Sequence, residues 1–130
     1  MRAGQSLAPE WLVLRARRPN VLLTGAHATT EVVMATLREY LIAPICYWAP
    51  NVTLPAPRDV ATLLVCEVAS LSLDQQQILL SWLDQVEPGE TQVVSITALE
   101  LFPLVERGSF LEALYYRLNI LRLDAPTKIN

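Results

Sequence analysis

Short apolar runs separated by helix-spaced segments limit most strongly what this chain can fold into. Val21-Leu22-Leu23-Thr24, Ile45-Cys46-Tyr47-Trp48, Ala61-Thr62-Leu63-Leu64-Val65 and Gln92 to Thr97 are each predicted to form a strand, and Asn119 to Leu123 a fifth. They are nearly continuous in apolar residues, as strands buried on both faces are. Between them, Glu31 to Ile42 places Val33, Leu37, Tyr40 and Leu41 at helical spacing. The helix beginning at Leu73-Asp74 runs to about Val86, with Ile78, Leu79, Trp82 and Leu83 on one face. Two short helices are expected near Glu100 to Arg107 and Phe110 to Leu118, and another over Leu7 to Arg17, ended by Pro19-Asn20. Gly25 to Thr30 and the proline-rich Ala49 to Arg58 read as loops, and Glu87 to Glu90 as a turn. Strands alternating with helices imply an α/β fold, a parallel sheet with right-handed crossovers.

A chain of 130 residues is expected to be one domain, residues 1–130, able to bury a core without metals or disulfides. It is apolar, at 52% hydrophobic and 18% charged residues. A buried parallel sheet explains that, and so does an exposed patch that takes a partner. The net charge is −3, the longest basic run is Arg15-Ala16-Arg17-Arg18, and Lys128 is the only lysine. No basic stripe is available to displace counterions, so no direct DNA binding is expected. Cys46 and Cys66 lie in apolar runs and read as reduced core thiols of a cytoplasmic protein. One histidine and no C-x-x-C pair argue against a metal site. No signal-peptide core or membrane span is read.

Three segments carry a resemblance. Asn20-Val21-Leu22-Leu23-Thr24-Gly25 looks like a strand entering a phosphate loop. Leu63 to Leu71 is similar to LFLDEVGEL, and the following Leu73-Asp74-Gln75-Gln76-Gln77 to PLDLQAKLL. Gly108-Ser-Phe-Leu-Glu-Ala-Leu-Tyr-Tyr-Arg-Leu118 resembles GRFREDLYYRLN. In this order they resemble the AAA+ ATPase domain of sigma-54-dependent transcription activators, over roughly Pro19 to Pro126. The resemblance implies a five-stranded P-loop NTPase-like sheet, order 5-1-4-3-2, flanked by helices. It also implies a small helical lid after the fifth strand, for which the chain up to Asn130 has no counterpart.

The departures from the family pattern fall on the chemistry. A phosphate loop needs G-x-x-x-x-G-K-[ST], because its amides wrap the phosphates, its lysine reaches the outer ones and its hydroxyl holds magnesium. The chain has Gly25-Ala26-His27-Ala28-Thr29-Thr30-Glu31, one residue short, without the lysine, and with a carboxylate that repels a triphosphate. His27 reads more simply as a solvent-facing loop residue than as a phosphate contact. The acidic motif needs Asp then Glu, for magnesium and for the attacking water; here Cys66 precedes Glu67. Glu67 is then a remnant, facing solvent or capping a helix. The family's sensor Thr-Asn-Arg-Asp is Thr97-Ala98-Leu99-Glu100. In the segment that reaches the neighbouring subunit's ATP, Leu111 replaces one arginine and Arg117 remains. Arg117 is either an intersubunit contact, offered to an intact partner's nucleotide, or a helix C-terminal cation in a local ion pair. Pro50 to Val60 contains no GAFTGA, the sequence with which the family contacts sigma-54.

The resemblance with these losses implies a catalytically inactive, regulatory AAA+-like domain that needs no ATP, magnesium or other cofactor. Its partner is expected to be a protein, either a full-length AAA+ activator or a second copy, met through a surface around Phe110, Tyr115 and Arg117. The alternative is a weak ATP-binding P-loop domain with an altered loop. A receiver-like module is a third possibility, separated from the others by strand order. It places the first strand between the second and third, whereas the P-loop order places it between the fourth and fifth.

Overall fold

The computed structural model describes residues 17–49, 51–87 and 89–125. The helix expected over Leu7 to Arg17 lies outside them, apart from its last residue. Five strands form one parallel sheet: β1 Val21–Thr24, β2 Ile45–Trp48, β3 Thr62–Val65, β4 Gln92–Thr97 and β5 Leu121–Asp124, in the order β2-β3-β4-β1-β5. β1 lies between β4 and β5, with Leu22 opposite Ser95 on one side and Arg122 on the other. That is the P-loop order, and it excludes the receiver-like arrangement.

Side-chain alternation along the strands divides the core in two. Val21 and Leu23 of β1, Leu64 of β3 and Val94 of β4 pack with Met34 and Leu37 of helix α1, His27–Leu37. Leu22, Leu63, Val65 and Val93 point to the opposite face. There they meet α2, Leu73–Leu83, and α4, Glu112–Leu118, with the short α3, Phe102–Glu106, beside them. The central strands are therefore apolar throughout because helices cover both faces. Trp48 and Trp82 are core residues, each about 5% exposed.

Sequence pattern and structure part company at several boundaries. α1 begins at His27, inside the stretch read as a loop, and gives way at Arg38–Tyr40 to a 3-10 turn. Glu31 is consequently in the second turn, beyond the helix start assigned to it. α2 ends at Leu83, three residues early, and Ile78 is exposed while Leu79, Trp82 and Leu83 are buried. Its start is fixed by a capping box, in which the Ser72 hydroxyl accepts from the Gln75 amide and the Gln75 side chain accepts from the Ser72 amide. Cys66 is exposed rather than a core thiol, because it lies one residue beyond β3, where Glu67 turns the chain with a φ of 52°.

Candidate functional site

The C-terminal ends of the strands carry the residues that the sequence singled out. β1 continues past Thr24 into a two-residue connection, Gly25 and Ala26, and α1 starts at once. The Gly25 amide donates to the Thr97 carbonyl (3.0 Å) and the Ala125 amide to that of Thr24 (2.7 Å). The ladder thus extends to the edge on both sides of β1. Gly25 has a φ of +144°, and a Cβ there would lie 2.7 Å from the Ala125 Cβ and 3.3 Å from the Thr29 Oγ1. Only glycine fits this backbone and this spacing.

Thr29 and Thr30 looked like loop residues, yet they are 4% and 3% exposed. The Thr29 hydroxyl donates to the Ala26 carbonyl (2.8 Å) and the Thr30 hydroxyl to that of His27 (2.9 Å). Both amides also donate to the Ala26 carbonyl. Each hydroxyl proton is therefore spent inside the first helical turn. Ala26, His27, Ala28 and Glu31 face solvent.

Across the edge, Cys66 and Glu67 are both exposed. The Cys66 thiol is pushed above its ordinary value, first by partial burial, then by the carboxylates of Glu31 and Glu67, with Arg38 opposing. Two negative charges thus bear on the place where the family keeps an aspartate. Glu67 makes no side-chain cap to the 3-10 turn that follows it, which leaves the solvent-facing alternative.

At the end of β4 the Thr97 hydroxyl donates to the Leu99 carbonyl (2.8 Å) and accepts from the Leu99 amide (3.1 Å). Ala98, Leu99 and Glu100 are exposed. Glu100 takes part in a network that has no signal in the sequence. Its carboxylate pairs with Arg122 (2.6 Å), Arg122 pairs with Asp124 (2.6 Å), and the Thr24 hydroxyl donates to Asp124. The Thr24 hydrogen bond and the Arg122 guanidinium hold the Asp124 carboxyl below the usual carboxylate range. Arg122 is raised in turn, by its hydrogen bond to Asp124 first and that to Glu100 second.

The segment from Gly108 to Leu118 is only in part a surface. Phe110 is 2% and Tyr115 9% exposed, so the interface role assigned to both is corrected: they are core residues. Phe110 enters the layer between sheet and helices, while Leu114, Tyr115 and Leu118 form the buried stripe of α4. What remains outside is Tyr116, 55% exposed, edge-on to Tyr115 at 5.1 Å. Phe102, 44% exposed, meets the other side of Tyr115 at 5.9 Å. Arg117, in the last turn of α4, pairs with Asp84 at the end of α2 (2.6 Å). Of its two alternatives, the local ion pair is the one formed within this chain.

One further buried polar residue holds this segment in place. Gln76 of α2, fully buried, donates from Nε2 to the carbonyls of Leu71 (2.9 Å) and Ser109 (3.0 Å) and accepts from the Leu111 amide (2.7 Å). It ties the loop after β3 to the start of α4. Its place in a run of three glutamines hides it from periodicity. Among the described residues, no group of three or more His, Cys, Asp or Glu is placed to hold a metal ion. No helix among them is long and apolar enough to cross a membrane.

Comparisons with known proteins agree with this topology. NtrX from Brucella abortus in complex with ATP superposes with a TM-score of 0.70 at 20% identity, over 97% of this chain and 36% of that one. The P-loop NTPase domain of the sigma-54 transport activator from E. coli gives 0.62 at 17% identity, over the whole of both chains. A RuvB variant from Thermotoga maritima gives 0.58 at 15% identity, over 93% of this chain and 43% of that one. At such identities these likenesses speak for the fold alone, and this chain spans only about a third of the NtrX chain. No curated protein matches the sequence. The profile of the sigma-54 interaction domain matches residues 13–127. On that match, and with a P-loop strand order, this chain belongs to the sigma-54 interaction domain family.

Proposed function

We propose that this domain does not hydrolyse ATP and works by associating with other proteins, full-length AAA+ activators of its own family foremost, as a regulator of their assembly. The observation that carries the proposal is the two-residue connection from β1 to α1. A phosphate loop wraps its ligand with the amides of a longer glycine-rich segment and adds a lysine. Here the segment has become a tight turn, with the Ala125 methyl against Gly25. The two threonine hydroxyls point back into the helix. Glu31, Glu67 and Cys66 stand where positive charge and a magnesium ligand are needed. This edge offers negative charge and a closed turn to a magnesium triphosphate, which argues against its binding here.

Association is supported by the exposed apolar side chains beside α3 and α4. Leu99, Phe102 and Tyr116 are 58%, 44% and 55% exposed, and aromatic residues of this kind anchor protein interfaces. Calorimetry with ATP and magnesium tests the first half, with no heat above dilution expected; measurable binding favours the weak ATP-binding alternative. Light scattering of this domain mixed with an intact sigma-54 activator tests the second half. Mixed oligomers are expected, and unchanged masses with every activator tried would end the association reading.

A further inference from the structure

A groove of about 320 Å³ opens at the other edge of the sheet, where the strands begin. Leu83 at the end of α2, Val86 just beyond it and Ile120 before β5 give it an apolar wall, and Ile120 is 62% exposed. Arg17, Arg18 and Arg117 line the rest. Among the described residues, no carboxylate lies within ion-pair distance of Arg17 or Arg18. The Arg18 guanidinium is fixed by the carbonyls of Gly89, Glu90 and Ala61. These acceptors orient the group without supplying an opposite charge. Among the described residues Arg117 pairs with Asp84 alone, in an exposed pair, and such a pair exchanges readily. Glu87 also borders the groove. Among the described residues at the groove, three guanidiniums against Asp84 and Glu87 leave one positive charge in excess, on a chain whose net charge is −3.

We propose that this groove docks an acidic, partly apolar peptide segment of a partner protein, with a carboxylate on Arg117 and Arg17 and an apolar side chain against Val86 and Ile120. The volume suits one or two side chains, too little for a helix laid lengthwise. Planar guanidiniums recognise carboxylates through paired hydrogen bonds, so the arginines supply direction as well as charge. The apolar wall separates such a segment from a plain polyanion. Asp84 acts as the resident competitor for Arg117.

The inference rests on the reading of this chain as a binding domain, but it uses a surface on the opposite edge of the sheet from Leu99, which lies just past the end of β4. The full chain is titrated by fluorescence anisotropy against an array of short labelled peptides. The array combines glutamate with leucine at varied spacing and includes serine-for-leucine controls, arginine-for-glutamate controls and a short single-stranded DNA. Acidic leucine-containing peptides are expected to bind, and to weaken at about 0.5 M salt. Arg117→Glu and Ile120→Asp are each expected to weaken them by about tenfold or more, and Asp84→Asn to tighten them by about threefold. Arg38→Glu, whose parent guanidinium lies over Tyr47 on the far edge strand β2, leaves them unchanged. Circular dichroism and urea midpoints check that each variant is folded. The proposal is overturned if no acidic peptide binds, if the groove variants bind like the parent, or if the DNA binds as tightly as the best peptide and is lost with the same variants. Leu99→Asp separates the two readings: it is expected to abolish association with an activator while leaving peptide binding intact.

Discussion

Gly25 and Ala125 are in direct contact across the edge of the sheet, so near that a Cβ on Gly25 would stand 2.7 Å from the Ala125 Cβ. Gly25→Ala must therefore move the turn that follows β1 or the chain that follows β5, and also take a φ of +144° that alanine avoids. We expect a loss of about 3 kcal/mol of stability, read as a lower urea midpoint at unchanged slope. Full stability would mean that the turn is looser than described.

Replacing Gln76 by leucine keeps the volume but removes three hydrogen bonds, one buried and two partly buried, leaving the Leu111 amide and the carbonyls of Leu71 and Ser109 without their partner. The expected cost is about 3 kcal/mol, with faster amide exchange at Leu111. Ser72→Ala removes the helix cap alone and should cost about 1 kcal/mol. Equal losses from the two substitutions would contradict the pinning role of Gln76.

Ser95 gives the opposite sign. Its hydroxyl is buried on β4 and has no hydrogen-bond partner among the described residues; Leu22 and Val65 stand opposite it on the two neighbouring strands. Ser95→Ala removes an unsatisfied group and should be neutral or stabilising by about 1 kcal/mol. A clear loss in thermal denaturation would reveal a hydrogen bond to ordered water.

The Cys66 thiol is exposed but has a raised pKa, through partial burial and then the carboxylates of Glu31 and Glu67. Alkylation proceeds through the thiolate, so iodoacetamide should react with it more slowly at neutral pH than with an unperturbed cysteine. Glu31→Gln should accelerate the reaction and Arg38→Gln slow it. Identical rates in all three proteins would show that the carboxylates are too distant to act.

Asp124 sets a pH dependence. Its carboxyl is held below the ordinary 3.8, by the Thr24 hydroxyl first and Arg122 second. A depressed folded-state value gives a contribution that is complete above the unfolded value and lost as the pH falls through the folded one. Urea midpoints should therefore carry an acid-side decline beginning near pH 3.8, smaller in Asp124→Asn. The effect is modest, because the carboxylate is largely exposed and screened by solvent.

Strand positions and topology were legible because burial on both faces leaves a run such as Leu63-Leu64-Val65 nothing to alternate with. The start of α1 was not. Thr29 and Thr30 read as loop residues by composition, and only their hydrogen bonds back to Ala26 and His27 make them tolerable in a first helical turn. Phe110 and Tyr115 were placed on the surface by resemblance, although the spacing of Leu114, Tyr115 and Leu118 marks a buried stripe. Gln76 and the Glu100–Arg122–Asp124–Thr24 network left no trace in the sequence, since polar contacts between distant segments have no period.

Substitution exchanges side chains and leaves the number of peptide units alone. With β1 handing over to α1 through Gly25 and Ala26 only, supplying a lysine or an aspartate returns a charge without returning the backbone that would aim it. The short turn behaves as a ratchet: a single deletion can set it, while release takes an insertion together with new side chains.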